Sequence, residues 1–124
     1  MTRGRETLLT AWSNEMAKAK ASRNRGDFAD EWSRLERAHI LSQPMIMPHI
    51  QTHVGMFAYG IRRRDGREVV GQLTRLILAG PGSLTGRYPL GNTGGANVSA
   101  FLPMPVPDDL LTLIQEDQTT EAVQ

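Results

Sequence analysis

Residues 28–53 read FADEWSRLERAHILSQPMIMPHIQTH, and the fold follows from how this stretch is punctuated. Phe28, Trp32, Leu35 and His39 recur at steps of four, three and four, which draws one buried stripe down a helix predicted over about 28–42. Asp27 can cap that helix, and Gly26 before it suits the C-cap of a preceding one. Pro44 and Pro48 then interrupt the chain around Met45-Ile46-Met47, with Pro48 well placed as the first residue of a third helix over about 48–63. A connection this short makes the two helices antiparallel neighbours.

Working outward, Leu8, Leu9, Trp12, Met16 and Ala19 recur at three- and four-residue steps and predict a first helix over about 5–24. The third helix is apolar on a wide arc: Ile50, Val54, Phe57 and Ile61 on one stripe, His49, His53, Met56 and Gly60 on the next. Arg62, Arg63 and Arg64 close it where cations favour the dipole, and Asp65-Gly66 makes the turn into a fourth helix over about 67–79. Residues 80–106 hold six Gly and four Pro, a composition that ends regular structure. Tyr88, Leu90, Val98, Phe101, Leu102 and Met104 within it predict an ordered loop packed over helices. Pro107 opens a short fifth helix carrying Leu110, Leu111, Leu113 and Ile114, and a polar tail over 117–124 is expected to fray. The expectation is all-α: one domain over residues 1–124, an antiparallel bundle of four helices plus a short fifth, ordered over about 5–116. The first hairpin is tetratricopeptide-like, since a Gly-Asp-aromatic turn precedes a helix with Ala38; one such unit cannot make an array.

The 124 residues, 40% of them apolar, suffice for one small core. A net charge of +1 supplies no field for nucleic acid or membrane surfaces. That balance conceals a basic half, with eleven Lys or Arg against six Asp or Glu in residues 1–64, and an acidic half with three against seven in residues 65–124. There is no cysteine, so disulfides, thiolate metal sites and cysteine nucleophiles are excluded. No apolar run approaches a spanning length and no secretory signal opens the chain, so a soluble cytoplasmic protein is expected.

All three histidines, His39, His49 and His53, fall within fifteen residues. His49 and His53 lie one helical turn apart, so both imidazoles share a face and two ring nitrogens can converge on one metal. His39 sits near the end of one helix and His49 near the start of the next, which brings all three rings to one end of the bundle. Glu36, in a Glu-x-x-His arrangement, and Met56, three residues after His53, are candidate fourth ligands; Met45 and Met47 flank the turn. Three histidines with an open position suit zinc, a carboxylate in place of one suits non-haem iron, and methionine sulfur shifts the preference toward copper. The competing reading makes the histidines core residues of a non-enzymatic interaction module that grips a protein partner through its hairpin and loop.

Other chemistries find no support. The helix lacks the glutamate of a zincin, and one Glu-x-x-His is half of what a di-iron bundle needs. The Gly-rich loop has no phosphate-binding signature, and Gly82-Ser83-Leu84-Thr85-Gly86 is no nucleophile elbow, so no reaction is assigned. Arg62–Arg64 lack a stacking platform for nucleic acid. Arg87 is expected to pair with an acidic group near the histidines, and a second copy of the chain is the expected cover for the wide apolar third helix.

The segments Glu36-Arg37-Ala38-His39-Ile40-Leu41-Ser42-Gln43, His49, His53, Gly71-Gln72-Leu73-Thr74-Arg75, Gly86-Arg87-Tyr88-Pro89-Leu90-Gly91-Asn92-Thr93-Gly94 and Met104-Pro105-Val106-Pro107 carry a resemblance. Over about residues 10–115 the chain resembles a bacterial family of small proteins known only as a domain of unknown function. The resemblance implies a single helical domain and names no activity.

Overall fold

A computed structural model describes residues 2–86, 88–99 and 101–122, the side chains of residues 78–84 apart. Five helices follow one another: α1 (Arg3–Asn24), α2 (Phe28–Ser42), α3 (Ile46–Arg62), α4 (Gly66–Thr85) and α5 (Asp108–Ala122). No strand occurs among the described residues, so the all-α expectation holds. Side-chain oxygens of Thr2, Asp27 and Asp65 accept from Arg5 N, Asp30 N and Glu68 N, capping α1, α2 and α4. Helices α1 to α4 each pack on the next in sequence, and α5 returns to lie on α1, giving the lateral order α5–α1–α2–α3–α4.

Three boundaries differ from the sequence expectation. Helix α3 begins at Ile46, so Pro48 is its third residue; the first-turn amides have no intrahelical acceptor, and a missing N–H there costs nothing. Helix α4 continues past Ala79 through Gly80, Pro81 and Gly82 and stops at Thr85. Gly80 has no Cβ to oppose a following proline, and Gly86, at φ 70°, supplies the left-handed cap. The irregular segment therefore begins after Gly86, not at residue 80. Helix α5 is longer than a short helix with a frayed tail, because Asp117 is buried and receives Arg5 Nε at 2.9 Å. Arg5 also pairs with Glu121, and Arg37 with Asp109, so the basic half of the chain is joined to the acidic half.

Two apolar clusters hold the array. Leu8, Ile40, Leu41, Met45, Leu110 and Ile114 join α1, α2 and α5, while Ala19, Leu35 and Met56 join α1, α2 and α3. Between them Glu15, almost fully buried, is held by Arg34 and Arg37, and Glu31 receives both terminal nitrogens of Arg62 at 3.1 and 2.6 Å. These pairings fix α1 and α3 against α2, and so set the end of the bundle where the histidines lie.

The α1–α5 crossing is close because Gly4 has no side chain: a Cβ there would stand 2.8 Å from Asp117 Cα and 2.9 Å from Glu116 O. Gly→Ala inside a helix ordinarily stabilises by about 0.5–1 kcal/mol. Here Gly4→Ala is expected to destabilise instead, by about 1–3 kcal/mol, because the obstacles are backbone atoms. Urea unfolding of the two proteins checks the sign.

Candidate metal centre

The site begins with a short reversal. Helix α2 ends at Ser42 and α3 starts at Ile46, so His39, one turn from the end of α2, faces His49 and His53 on the first turns of α3. The three imidazoles are buried, and their Nε2 atoms form a nearly equilateral triangle: His39–His53 3.1 Å, His39–His49 3.1 Å, His49–His53 3.2 Å. The rings meet edge-on or tilted rather than stacked.

The opposite nitrogens decide what that triangle is. His39 Nδ1 lies 2.6 Å from Asn92 O, and a carbonyl only accepts, so the proton sits on Nδ1. His53 Nδ1 lies 2.6 Å from Gln72 Oε1. The Gln72 amide orientation is fixed from its other end, where Nε2 donates to Glu68 Oε1 and Gly94 O, each at 2.7 Å. His53 therefore also carries its proton on Nδ1. Both neutral rings turn bare Nε2 lone pairs toward each other at 3.1 Å, a separation at which two acceptors repel unless a cation lies between them.

A proton is a poor candidate for that cation. Burial holds His39 well below 6.5, and the neighbouring His53 and His49 push in the same direction. Burial likewise lowers His53 to about 4, with Arg75 adding, against the hydrogen bond to Gln72. Near neutral pH both rings are uncharged, the form in which imidazole ligates metals. A point about 2.0–2.1 Å from all three nitrogens lies about 1 Å off their plane, with angles of about 100° between ligand directions, which suits a tetrahedral ion.

The segment after α4 closes over this cluster. Gly94, at φ 86°, lies so near His39 that a Cβ would come within 2.6 Å of its ring carbons and 2.9 Å of Nε2. Asn92 Oδ1 accepts from Gly94 N, and Asn92 Nδ2 donates to Ser99 O and Leu102 O, so one buried amide shapes the loop whose carbonyl holds His39. Glu68 accepts from Ala96 N, Gln43 donates to Pro89 O and accepts from Gly91 N, and Arg75 donates to Val98 O. Helices α2 and α4 thus grip the loop at several points. Arg87 lies outside the described residues.

The structure brings ring nitrogens of His39, His49 and His53 within 4.8 Å of one another, in a group that does not include Glu36. The Glu36 carboxyl is half-buried beside Thr93; burial raises its pKa and the negative Glu68 adds, against a hydrogen bond from Thr93. Met56 is fully buried in the cluster with Ala19 and Leu35, and Met45 sits in the other cluster. Met47 is exposed, and Met104 lies beside Thr93. Sequence reasoning missed Gln72, Asn92, Glu68 and Gly94. A signal for Gln72 exists: with Glu68 and Arg75 it forms a polar stripe at steps of four and three, and that stripe, not the apolar one beside it, faces the site.

An all-α array with a buried, all-imidazole cluster of metal-ligating geometry defines a small helical protein with a candidate metal centre. The chain belongs to the family described as "Protein of unknown function (DUF3703)", whose model matches residues 6–114. No curated protein and no solved structure matches it. No helix among the described residues is long and apolar enough to cross a membrane.

The lowered histidine values give a pH dependence with a definite sign. A group that titrates at about 6.5 unfolded and about 4 folded leaves stability intact above 6.5 and erodes it as pH falls toward 4, because only the unfolded chain takes up the proton. His53 alone accounts for a loss on the order of 3 kcal/mol across that window. Urea midpoints of chelator-treated protein at pH 7.5 and 5.0 are expected to fall accordingly, and to fall less in His53→Leu.

Proposed function

We propose that the protein binds one transition-metal ion through the Nε2 atoms of His39, His49 and His53, and that its activity is metal handling. The observation that carries this is the pair of fixed Nδ1 protons, which leaves the bare Nε2 lone pairs of His39 and His53 facing each other at 3.1 Å, with His49 Nε2 3.1–3.2 Å from both. Histidines that served only as core residues would place a hydrogen between facing nitrogens, and between His39 and His53 there is no proton to place.

The proposed donor set is nitrogen alone: Glu36 lies outside the group of converging ligand atoms with its carboxyl beside Thr93, and Met56 packs with Ala19 and Leu35. Three imidazoles with an open fourth position suit zinc, or copper bound by nitrogen. Asn92 and Gln72 act on the ion through the rings, holding their orientation and raising the basicity of the ligating nitrogens. Closure by Gly94 and its neighbours favours retention over rapid exchange, so the reading is a protein that keeps its ion rather than an open catalyst.

Elemental analysis of untagged protein, stripped and then reconstituted separately with zinc, copper and iron, is expected to give one zinc or copper per chain. His39→Ala, His49→Ala and His53→Ala should each abolish it. A wild-type stoichiometry well below one with every metal contradicts the reading. Gln72→Leu removes the acceptor on His53 while keeping the ligands, and is expected to weaken affinity about 10–100-fold in a chelator competition.

A further inference from the structure

We propose that the exposed face of α3 and α4 is the interface of a homodimer, with α4 of one copy laid against α4 of the other. The proposal does not depend on the metal. Helix α4 ends the lateral order α5–α1–α2–α3–α4, and the two end helices are built differently. At one end α5 turns Thr112, Gln115, Glu116 and Thr119 outward, as an end helix in water requires. At the other end α4 turns its polar Glu68 and Gln72 inward to the site and leaves three apolar side chains outward: Val70 is 65% exposed, Leu73 49% and Ile77 75%. Only Val69 and Leu76 of its apolar side chains described are partly buried.

The outward face continues onto α3. Gly60 lies against Val69 and His53 against Gln72, so the two helices are antiparallel neighbours, with α2 and the loop on one flank. On the opposite flank α3 exposes Val54 and Ile61 by about half. The middle of that surface is free of charge: α3 has no Asp, Glu, Lys or Arg from Ile46 to Ile61, and between Val69 and Thr85 α4 has only Arg75, which bonds inward to Val98 O. Arg67, exposed one turn before Val70, stands at its edge. The five side chains expose on the order of 500 Å² of apolar surface, large for a monomer and approaching the roughly 800 Å² that each copy covers in a stable dimer. Two-fold symmetry places the same uncharged stripe on both sides, the self-complementarity an isologous contact needs.

Sedimentation equilibrium of the full chain at micromolar concentration is expected to give twice the 13.7 kDa chain mass. The double variant Val70→Glu, Ile77→Glu should give the single-chain mass with unchanged far-UV helicity. Because the chain has no cysteine, Thr74→Cys on the α4 face should form an intermolecular disulfide on mild oxidation, while Gln115→Cys on α5 should not. If the double variant does not fold, these two single-cysteine variants decide. A monomeric wild type overturns the proposal, as does cross-linking of the Gln115→Cys variant without cross-linking of Thr74→Cys. A monomer that floats with phosphatidylcholine vesicles assigns the face to a lipid surface and overturns it equally.

Discussion

Two hydrogen bonds of 2.6 Å, from His39 Nδ1 to Asn92 O and from His53 Nδ1 to Gln72 Oε1, constrain everything else in this molecule. Each commits an imidazole to one tautomer and turns a lone pair inward. Neither acceptor is free to do otherwise. The Asn92 carbonyl is held because its own side-chain amide bridges Ser99 and Leu102, and the Gln72 amide is held by Glu68 and Gly94. The two facing lone pairs therefore stand at the end of a chain of satisfied polar groups, and such a network specifies one geometry because each member fails if its neighbour moves.

The same network explains why a loop rich in glycine and proline is ordered. Most of its anchors are not apolar: Gln43, Glu68, Gln72, Arg75 and Asn92 hold it by backbone hydrogen bonds. Positive φ at Gly91 and Gly94 lets the backbone make close approaches where any Cβ would collide. The orientation of the histidine rings, the order of the loop and the packing of α4 form one cooperative unit. The outward apolar face of α4 accompanies it: Glu68, Gln72 and Arg75 take much of the inner face, and Val70, Leu73 and Ile77 stand on the outer one.

Much of this was legible in the sequence. Stripe periodicity gave the helices of residues 3–62 to within two or three residues, and the four-residue step from His49 to His53, with a short turn back to His39, was enough to bring three rings together. What escaped was non-local or inverted. Asn92 and Gln72 reach their histidines from 53 and 19 positions away in the chain, and no local pattern announces such a pairing. Glu36 does share a helical face with His39, yet its carboxyl is drawn toward Thr93, on a segment whose path the helix pattern does not set. The end of α4 was misplaced because Gly80 and Pro81 read as a stop, while the left-handed Gly86 further along is the one that acts.

The central claim is that an ion is held by three Nε2 atoms and by no protein sulfur or carboxylate. X-ray absorption at the metal edge of the reconstituted protein tests it most directly. The account predicts a coordination sphere containing three nitrogen scatterers at about 2.0–2.1 Å, with the longer-range multiple scattering of imidazole rings. A sulfur scatterer near about 2.3 Å, or a sphere of oxygen without the imidazole signature, would contradict it.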